Sequence, residues 1–157
     1  MKICDILNKN SILTDFVGKN KEEVINELID SLKGDPRISD IEQVRTAVLE
    51  REKIMSTGVG KGFAIPHGKT NGINSMIAAF GVLKTPIAYE ALDGEPVNII
   101  FLLVGLEKAV GPHIKMLSRI SRIMNKSEFR DQLAAAQNSE EIYSLFHEEE
   151  KNFLEIN

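Results

Sequence analysis

The sequence has a single cysteine, no long apolar segment and no excess of positive charge. One cysteine, Cys4, in 157 residues excludes an internal disulfide framework and a zinc site built from clustered cysteines. We expect Cys4 to be a small buried hydrophobic residue rather than a nucleophile. The formal net charge of −4 argues against a nucleic-acid-binding protein, which would need a basic face.

The shortage of long apolar runs bears on membranes and secretion. The first ten residues, MKICDILNKN, lack the apolar core of a signal peptide. The longest apolar run, residues 97–106, includes Asn98 and is too short to cross a membrane as a helix. Hydrophobic residues make up 43% of the chain and charged residues 27%, a balance typical of globular proteins. Length and composition predict one cytoplasmic domain over residues 1–157, without membrane insertion.

Two capping motifs predict helices in the first third of the chain. The letters NKEE, which begin at Asn20, have the pattern of a capping box, and apolar residues follow them at helical spacing. That helix should end before GDP at residues 34–36, because glycine and proline end helices. A second capping box, SDIE, begins at Ser39 and predicts a helix to about Lys53, with Val44 and Val48 on its apolar face.

Two segments in the middle of the chain have the pattern of strands buried on both faces. In residues 75–83 both alternating sides are apolar, with Met76, Ala78, Phe80 and Val82 on one and Ile77, Ala79 and Leu83 on the other. Residues 97–106 read VNIIFLLVGL and predict a second such strand. The letters LDGEP between the two segments are typical of a turn. The glycine-rich residues 55–75 predict short strands and turns.

Helical spacing returns in the last third of the chain. One helix is predicted after Gly111 and Pro112, one around Phe129 and Leu133, and one capped by Asn138. Helices at both ends of the chain, around doubly buried strands, predict an α/β fold with three layers, α/β/α. The pattern leaves the strand order open and allows either a mixed or a parallel sheet.

The letters GKT, residues 68–70, resemble the end of a phosphate-binding P-loop, but the spacing excludes one. Five residues separate Gly62 from Gly68, where a P-loop has four. A P-loop also leads into a helix, whereas Asn71 and Gly72 after these letters form a turn pair. An ATP-dependent kinase is therefore the weakest functional interpretation.

His67 is the stronger candidate in this segment. Pro66 stiffens the approach to it, Gly68 after it would let a partner come close, and Lys69 supplies a positive charge. An imidazole held in this way can accept a phosphoryl group as a covalent nucleophile. By itself, a histidine in a loop is more often a surface or structural residue.

Two further residues could join His67 around one phosphoryl group. His113 falls on the inward face of the first turn of its predicted helix, where anions are favoured. Arg51 extends the apolar stripe of its helix, although a cation at a helix C-terminus is also an ordinary structural feature. His147 precedes an acidic run, EEE at residues 148–150, and both are expected to lie at the solvated surface.

The segment from Arg51 to Gly68, REKIMSTGVGKGFAIPHG, resembles the active-site signature of a known family. It is similar to the fructose/mannitol-type enzyme IIA of the bacterial phosphoenolpyruvate-dependent sugar phosphotransferase system. The resemblance continues through residues 85–97, through His113 with Leu117 and Ser118, and through residues 135–143. It covers nearly the whole chain, and its later segments are most similar to the free-standing, nitrogen-regulatory members.

The resemblance implies a mixed sheet between helices and assigns roles to the three candidates. His67 matches the phosphorylated histidine, His113 the second histidine that orients the site, and Arg51 the arginine that helps to hold the phosphoryl oxygens. Backbone N–H groups of the glycine-rich loop are expected to assist them, and the positions expected to take part are Ser56, Thr57, Gly58, Gly60, Gly62 and Gly68. No metal and no cofactor are expected.

The resemblance also implies partner proteins. The donor would be the phosphocarrier HPr or a regulatory paralogue, and the acceptor an enzyme IIB or a regulatory target. The sequence has no fused IIB, IIC or DNA-binding segment, which favours the regulatory role over a fructose-type uptake component. A partner-binding module without catalysis is a further alternative. Phe63, Ile65 and Met55 are interpreted either as a docking patch for the partner or as core.

Overall fold

The computed structural model describes residues 1–156, with the side chains of residues 1–154. The helices are α1 (Ile3–Ile6), α2 (Lys21–Asp30), α3 (Ile41–Ile54), α4 (Val110–Met124), α5 (Ser127–Ala135) and α6 (Ser139–Ile156). The strands are β1 (Leu7–Phe16), β2 (Gly58–Gly60), β3 (Phe63–Ala64), β4 (His67–Thr70), β5 (Ile77–Ile87) and β6 (Val97–Leu106). Over the described part of the chain, every helix is too short or too polar to cross a membrane.

The strands form one mixed sheet in the order β1-β5-β6-β3-β2, with β4 beside β6 further along the same edge as β3. β5 and β6 are antiparallel, whereas β1 runs parallel to β5 and both β3 and β4 run parallel to β6. The mixed sheet implied by the resemblance is therefore confirmed. In the described sheet, β4 pairs only with β6 and is an edge strand.

Helices cover both faces of the sheet, which confirms the three-layer prediction. One core includes Ala78, Phe80 and Val82 of β5 and side chains of α1, α4, α5 and α6. The other includes Ile77, Ala79 and Leu83 of β5 and side chains of α2 and α3. The alternation predicted for residues 75–83 is thus correct residue by residue, because each side of the strand has its own helical layer.

Side-chain caps begin three of the helices. The Asn20 side chain accepts the Glu23 N–H at 2.9 Å, and Asn138 accepts the Glu141 N–H at the same distance. The second capping box is wrong by one residue, because Asp40 rather than Ser39 caps α3. The Asp40 carboxylate accepts the Glu42 N–H at 3.0 Å, and its charge also favours a helix N-terminus.

The acidic run before the C-terminus is not a uniformly solvated face. His147 is exposed as predicted, but Glu150 is only 2% exposed. Its carboxylate accepts the Ile3 N–H at 2.8 Å and pairs with Arg119 at 3.0 Å. Glu150 points inward because it follows the buried Phe146 by four residues, one turn of helix. Cys4 is half-buried against the same core, with its Sγ 3.8 Å from the Tyr143 carbonyl oxygen.

Candidate active site

The candidate residues meet at the edge strand β4, between α3 from one face of the sheet and α4 from the other. They line a shallow pocket with a volume of about 440 Å³, whose walls are Ala47, Arg51, His67, Gly68, Lys69, Glu107, His113, Ile114 and Leu117. The three residues predicted to act together, His67, His113 and Arg51, are therefore side by side. In residues 1–154, His, Cys, Asp and Glu side chains form no group of three or more placed to hold a metal ion.

The His67 ring is held by one backbone carbonyl. Its Nδ1 lies 2.7 Å from the Ile65 carbonyl oxygen, two residues earlier, across the rigid Pro66. A carbonyl oxygen can only accept a hydrogen bond, so Nδ1 carries the proton. The neutral ring therefore has its free lone pair on Nε2.

The surroundings of His67 keep its ring neutral. Burial lowers the pKa of His67, and the positive charges of Arg51 and Lys69 lower it further. The hydrogen bond to Ile65 and the negative charge of Glu52 act in the opposite direction. An imidazole that stays neutral near pH 7 has an available lone pair, which is what a nucleophile requires.

His113 is buried beside His67. Its side chain is 3% exposed, and the centroids of the two imidazole rings are 5.7 Å apart. Burial, with the nearby His67 and Lys69, lowers the pKa of His113 to about 4, so this ring is also neutral. Its Nδ1 has no hydrogen-bond partner among the described residues. A buried lone pair costs less than a buried N–H without an acceptor, which favours the tautomer with the proton on Nε2.

Gly105 of β6 makes the room in which the His113 ring lies. A Cβ at this position would be 2.3 Å from His113 Nδ1 and 3.1 Å from its Cγ. Sequence reasoning missed this glycine, because only the tertiary packing of α4 on β6 reveals what lies over it. The glycine between Val104 and Leu106 in an otherwise apolar strand was the available signal, since glycine in a strand often marks a close approach.

Arg51 is half-buried near the end of α3, and its guanidinium donates to the Met55 carbonyl oxygen at 2.9 Å. This contact is the ordinary one for a cation at a helix C-terminus, while the same side chain lines the pocket of His67. We expected Arg51 to extend the apolar stripe of α3, and this was wrong. The buried face continues through Glu52 instead. Glu52 is 6% exposed and follows Val48 by four residues.

Gly68 lies directly against the backbone of α3. A Cβ there would be 2.9 Å from the Ala47 carbonyl carbon and 3.0 Å from the Val48 nitrogen, both in the backbone of α3. Its expected role as clearance for a partner protein stays a prediction. The missing side chain lets α3 lie directly on β4 and brings Arg51 towards His67.

The other positions of the predicted phosphoryl-binding loop lie in the strands and turns before His67. The Thr57 N–H donates to Glu52 at 2.8 Å, and the Gly58 N–H donates to the Ser56 hydroxyl at 3.2 Å. Gly60 and Gly62, with φ of 116° and 85°, form the tight turn from β2 to β3. Of these loop positions, only Gly68 lines the pocket of His67. The role of the loop in binding a phosphoryl group stays a prediction.

The docking patch considered for Phe63, Ile65 and Met55 is wrong for two of its three members. Phe63 of β3 and Ile65, which follows β3, belong to the hydrophobic core that also includes side chains of α4 to α6. Met55 is 64% exposed. Ile114, in the first turns of α4, is 60% exposed and lines the pocket.

Comparison with known proteins places the chain in a family. Residues 5–149 match the sequence model of the family described as "Phosphoenolpyruvate-dependent sugar phosphotransferase system, EIIA 2". A nitrogen regulatory protein of Bradyrhizobium diazoefficiens is 34% identical over 146 residues, which are 92% of this chain and 94% of that protein. The fructose-specific EIIABC component of Bacillus subtilis is 36% identical over 151 residues, 96% of this chain but 24% of that protein.

A solved structure gives the same result in three dimensions. The crystal structure of the nitrogen regulatory protein IIA-Ntr from Neisseria meningitidis superposes with a TM-score of 0.85 at 30% identity, covering 92% of this chain and 98% of that one. Sequence and fold agree, and the chain belongs to the EIIA 2 family of the phosphoenolpyruvate-dependent sugar phosphotransferase system.

Proposed function

We propose that the protein is a phosphoryl carrier that accepts a phosphoryl group on Nε2 of His67. The observation that carries this proposal is the 2.7 Å contact between His67 Nδ1 and the Ile65 carbonyl oxygen. It fixes the proton on Nδ1 and leaves Nε2 as the nucleophilic atom, at the pocket between α3 and α4. The low pKa of the ring supports the proposal, since a protonated Nε2 could not attack phosphorus.

The transfer step moves one phosphoryl group between two nitrogen atoms. The Nε2 lone pair of His67 forms a new N–P bond while the N–P bond of a phosphohistidine on the donor breaks. The electron pair of the breaking bond stays on the donor nitrogen. Such transfer has a loose, in-line transition state, in which the protein mainly positions groups and spreads charge. Since the broken and formed bonds are alike, the step is reversible.

Three neighbouring side chains would stabilise the transferred group. His113, with its proton on Nε2, would donate to a phosphoryl oxygen, and Arg51 and Lys69 would supply positive charge. The contact of Arg51 with the Met55 carbonyl oxygen would be exchanged for a phosphoryl oxygen. In this scheme no metal ion and no cofactor takes part.

The partners are proteins, because His67 must meet a phosphohistidine. The donor would be an HPr-type phosphocarrier, docked on the exposed apolar side chains beside the pocket, which include Met55, Val110 and Ile114. The acceptor would be an enzyme IIB, or the phosphorylated state would be read by a regulatory target. The nitrogen regulatory relatives support the regulatory type.

The test is intact-mass spectrometry after incubation with phosphoenolpyruvate, enzyme I and an HPr-type phosphocarrier. We expect the wild type to gain one acid-labile phosphoryl group and His67→Ala to gain none. The matched control is His147→Ala, which removes an exposed histidine on α6 and should be labelled like the wild type. Labelling of His67→Ala would refute the assignment. Failure of the wild type to be labelled would favour a partner-binding module without catalysis.

A fructose-type uptake component is the second candidate, and the 36% identity to the fructose-specific EIIABC component favours it. The chain spans about a quarter of that protein, so the uptake activity of the whole assembly would depend on other segments. Both candidates use the same chemistry at His67. Incubating the phosphorylated protein with a purified fructose-type enzyme IIB separates them, since rapid transfer supports uptake and its absence supports regulation.

A further inference from the structure

Glu52 is a buried carboxylate on α3, next in sequence to Arg51. It accepts the Thr57 N–H at 2.8 Å and a short hydrogen bond from the Thr57 hydroxyl. The Tyr89 hydroxyl and the Lys21 ammonium each donate to it at 3.2 Å. Burying a carboxylate is costly unless its oxygens are satisfied in this way.

The bonds of Glu52 continue, through two backbone groups, to the ring of His67. Thr57 is held to Glu52 by both its N–H and its hydroxyl. The Thr57 carbonyl oxygen accepts the Ile65 N–H at 3.0 Å, and the Ile65 carbonyl oxygen accepts Nδ1–H of His67 at 2.7 Å. Glu52, Thr57 and Ile65 therefore form an unbroken path from α3 to the atom that sets the tautomer of His67.

Tyr89 contacts both Thr57 and Glu52. Its hydroxyl lies 3.1 Å from the Thr57 hydroxyl as well as 3.2 Å from Glu52. Burial and the charge of Glu52 raise the pKa of Tyr89, so its hydroxyl keeps its proton and remains a donor. The Thr57 side chain is thus fixed between a carboxylate and a phenol, which leaves it little rotational freedom.

Charge gives Glu52 a second connection to His67. Arg51 and Lys69 both lower the pKa of His67, whereas Glu52 raises it. Glu52 is therefore a negative counterpart to the two cations around the ring. A carboxylate with a purely structural role needs no connection to His67. Glu52 is connected to His67 both through hydrogen bonds and through its charge.

We propose that Glu52, with Thr57 and Tyr89, is a positioning unit that holds the His67 ring with Nδ1 protonated and Nε2 free for reaction. This inference rests on the proposed function of His67. Glu52 itself touches neither the pocket nor a reacting atom. It acts by fixing Thr57, and through it the Ile65 carbonyl oxygen that orients the ring.

The experiment compares Glu52→Gln with Glu50→Gln. Both variants lose one negative charge on α3, but Glu50 is exposed and its carboxylate pairs with the neighbouring Lys53 at 3.0 Å. Nitrogen-15 NMR of the unphosphorylated protein reports the tautomer and the pKa of His67, and a rapid-quench assay with phosphorylated HPr reports kcat and KM. For Glu52→Gln we expect a lower pKa of His67, a smaller fraction of the Nδ1–H tautomer, and a kcat reduced about 10- to 100-fold with KM nearly unchanged. Glu50→Gln should leave all four quantities as in the wild type.

A second pair of variants covers the case in which Glu52→Gln does not fold. Thr57→Val keeps the shape of the side chain but loses the hydroxyl, whereas Thr57→Ser restores it. We expect Thr57→Val to shift the tautomer and reduce kcat, and Thr57→Ser to recover most of both. Folded variants with an unchanged tautomer, pKa and kcat would overturn the positioning unit. If the wild type is not phosphorylated, the proposed function fails, but the tautomer and pKa of the unphosphorylated variants still decide this inference.

Discussion

Gly105→Ala tests whether the position of the His113 ring controls phosphoryl transfer. The added Cβ would lie 2.3 Å from His113 Nδ1, whereas ordinary contacts of this kind begin at 3.4 Å. The backbone of Gly105 does not have a positive φ, so alanine is conformationally allowed and the conflict is purely steric. The His113 ring also lines the pocket, and we expect the imidazole to move into it.

The expected loss of rate in Gly105→Ala follows from the difference between these two distances. The separation must grow by 1.1 Å, which is 3.4 Å minus 2.3 Å, to become an ordinary contact. A misplacement of about 1 Å in an active site can cost up to about 100-fold in rate. Overpacking of a buried site costs about 1–3 kcal/mol in stability. We therefore expect a folded protein with a rate of His67 phosphorylation reduced about 10- to 100-fold.

The assay is the rapid-quench phosphorylation of His67, with urea denaturation alongside to measure stability. Gly111→Ala is the matched control, because no atom lies within 4 Å of a Cβ at that glycine of α4. The decisive comparison is a double-mutant cycle, since Gly105→Ala should have no further effect on the rate once His113 is alanine. A wild-type rate in Gly105→Ala, with unchanged NMR signals of the His113 ring, would refute the reasoning.

Three other predictions concern packing and charge. Gly68→Ala should lower the free energy of unfolding by about 1–3 kcal/mol and slow phosphorylation, because its Cβ would meet the backbone of α3 at 2.9 Å. Urea denaturation measures the stability and the labelling assay measures the rate. A variant with unchanged stability and rate would contradict the close packing. The pKa of His113 falls from 6.5 to about 4 on folding, so the unfolded chain binds a proton that the folded one does not between these values. The free energy of unfolding should therefore decrease by on the order of 3 kcal/mol as the pH falls from 6.5 to 4, and His113→Gln should show a weaker decrease in the same titration. Arg119→Met should destabilise the protein by about 3–5 kcal/mol at pH 7, since it leaves the buried Glu150 carboxylate without its cation; a loss no larger than that of an exposed substitution would argue against a buried pair.

Local patterns were reliable where each residue has one dominant environment. The two faces of β5 followed from strict alternation, and the cap at Asn20 followed from four letters. The N-terminal strand β1 was not predicted, because its register with β5 shifts twice and only Leu7, Ser11 and Ile12 of its ten residues are buried. An interrupted alternation has no period for a sequence pattern to detect.

The candidate site divides in the same way. His67, Arg51 and His113 could be named from motif and helical phase, and the structure brings them to one pocket. The roles of Gly68 and Gly105 could not be predicted, because the atoms closest to these glycines belong to α3 and α4. The inward position of Glu52 had a signal, its spacing from Val44 and Val48. Two of its four hydrogen bonds, however, come from Lys21 and Tyr89, which belong to distant segments.

The sequence by itself determined the α/β class, the two doubly buried central strands and the choice of His67 over a nucleotide-binding loop. These depend on periodicity and spacing, which are properties of neighbouring residues. Only the tertiary structure decided the strand order, the contact of Nδ1 with the Ile65 carbonyl oxygen and the position of Gly105 against the His113 ring. Those features require segments far apart in the chain to approach within a few ångströms, and it is packing between layers, rather than local pattern, that sets such distances.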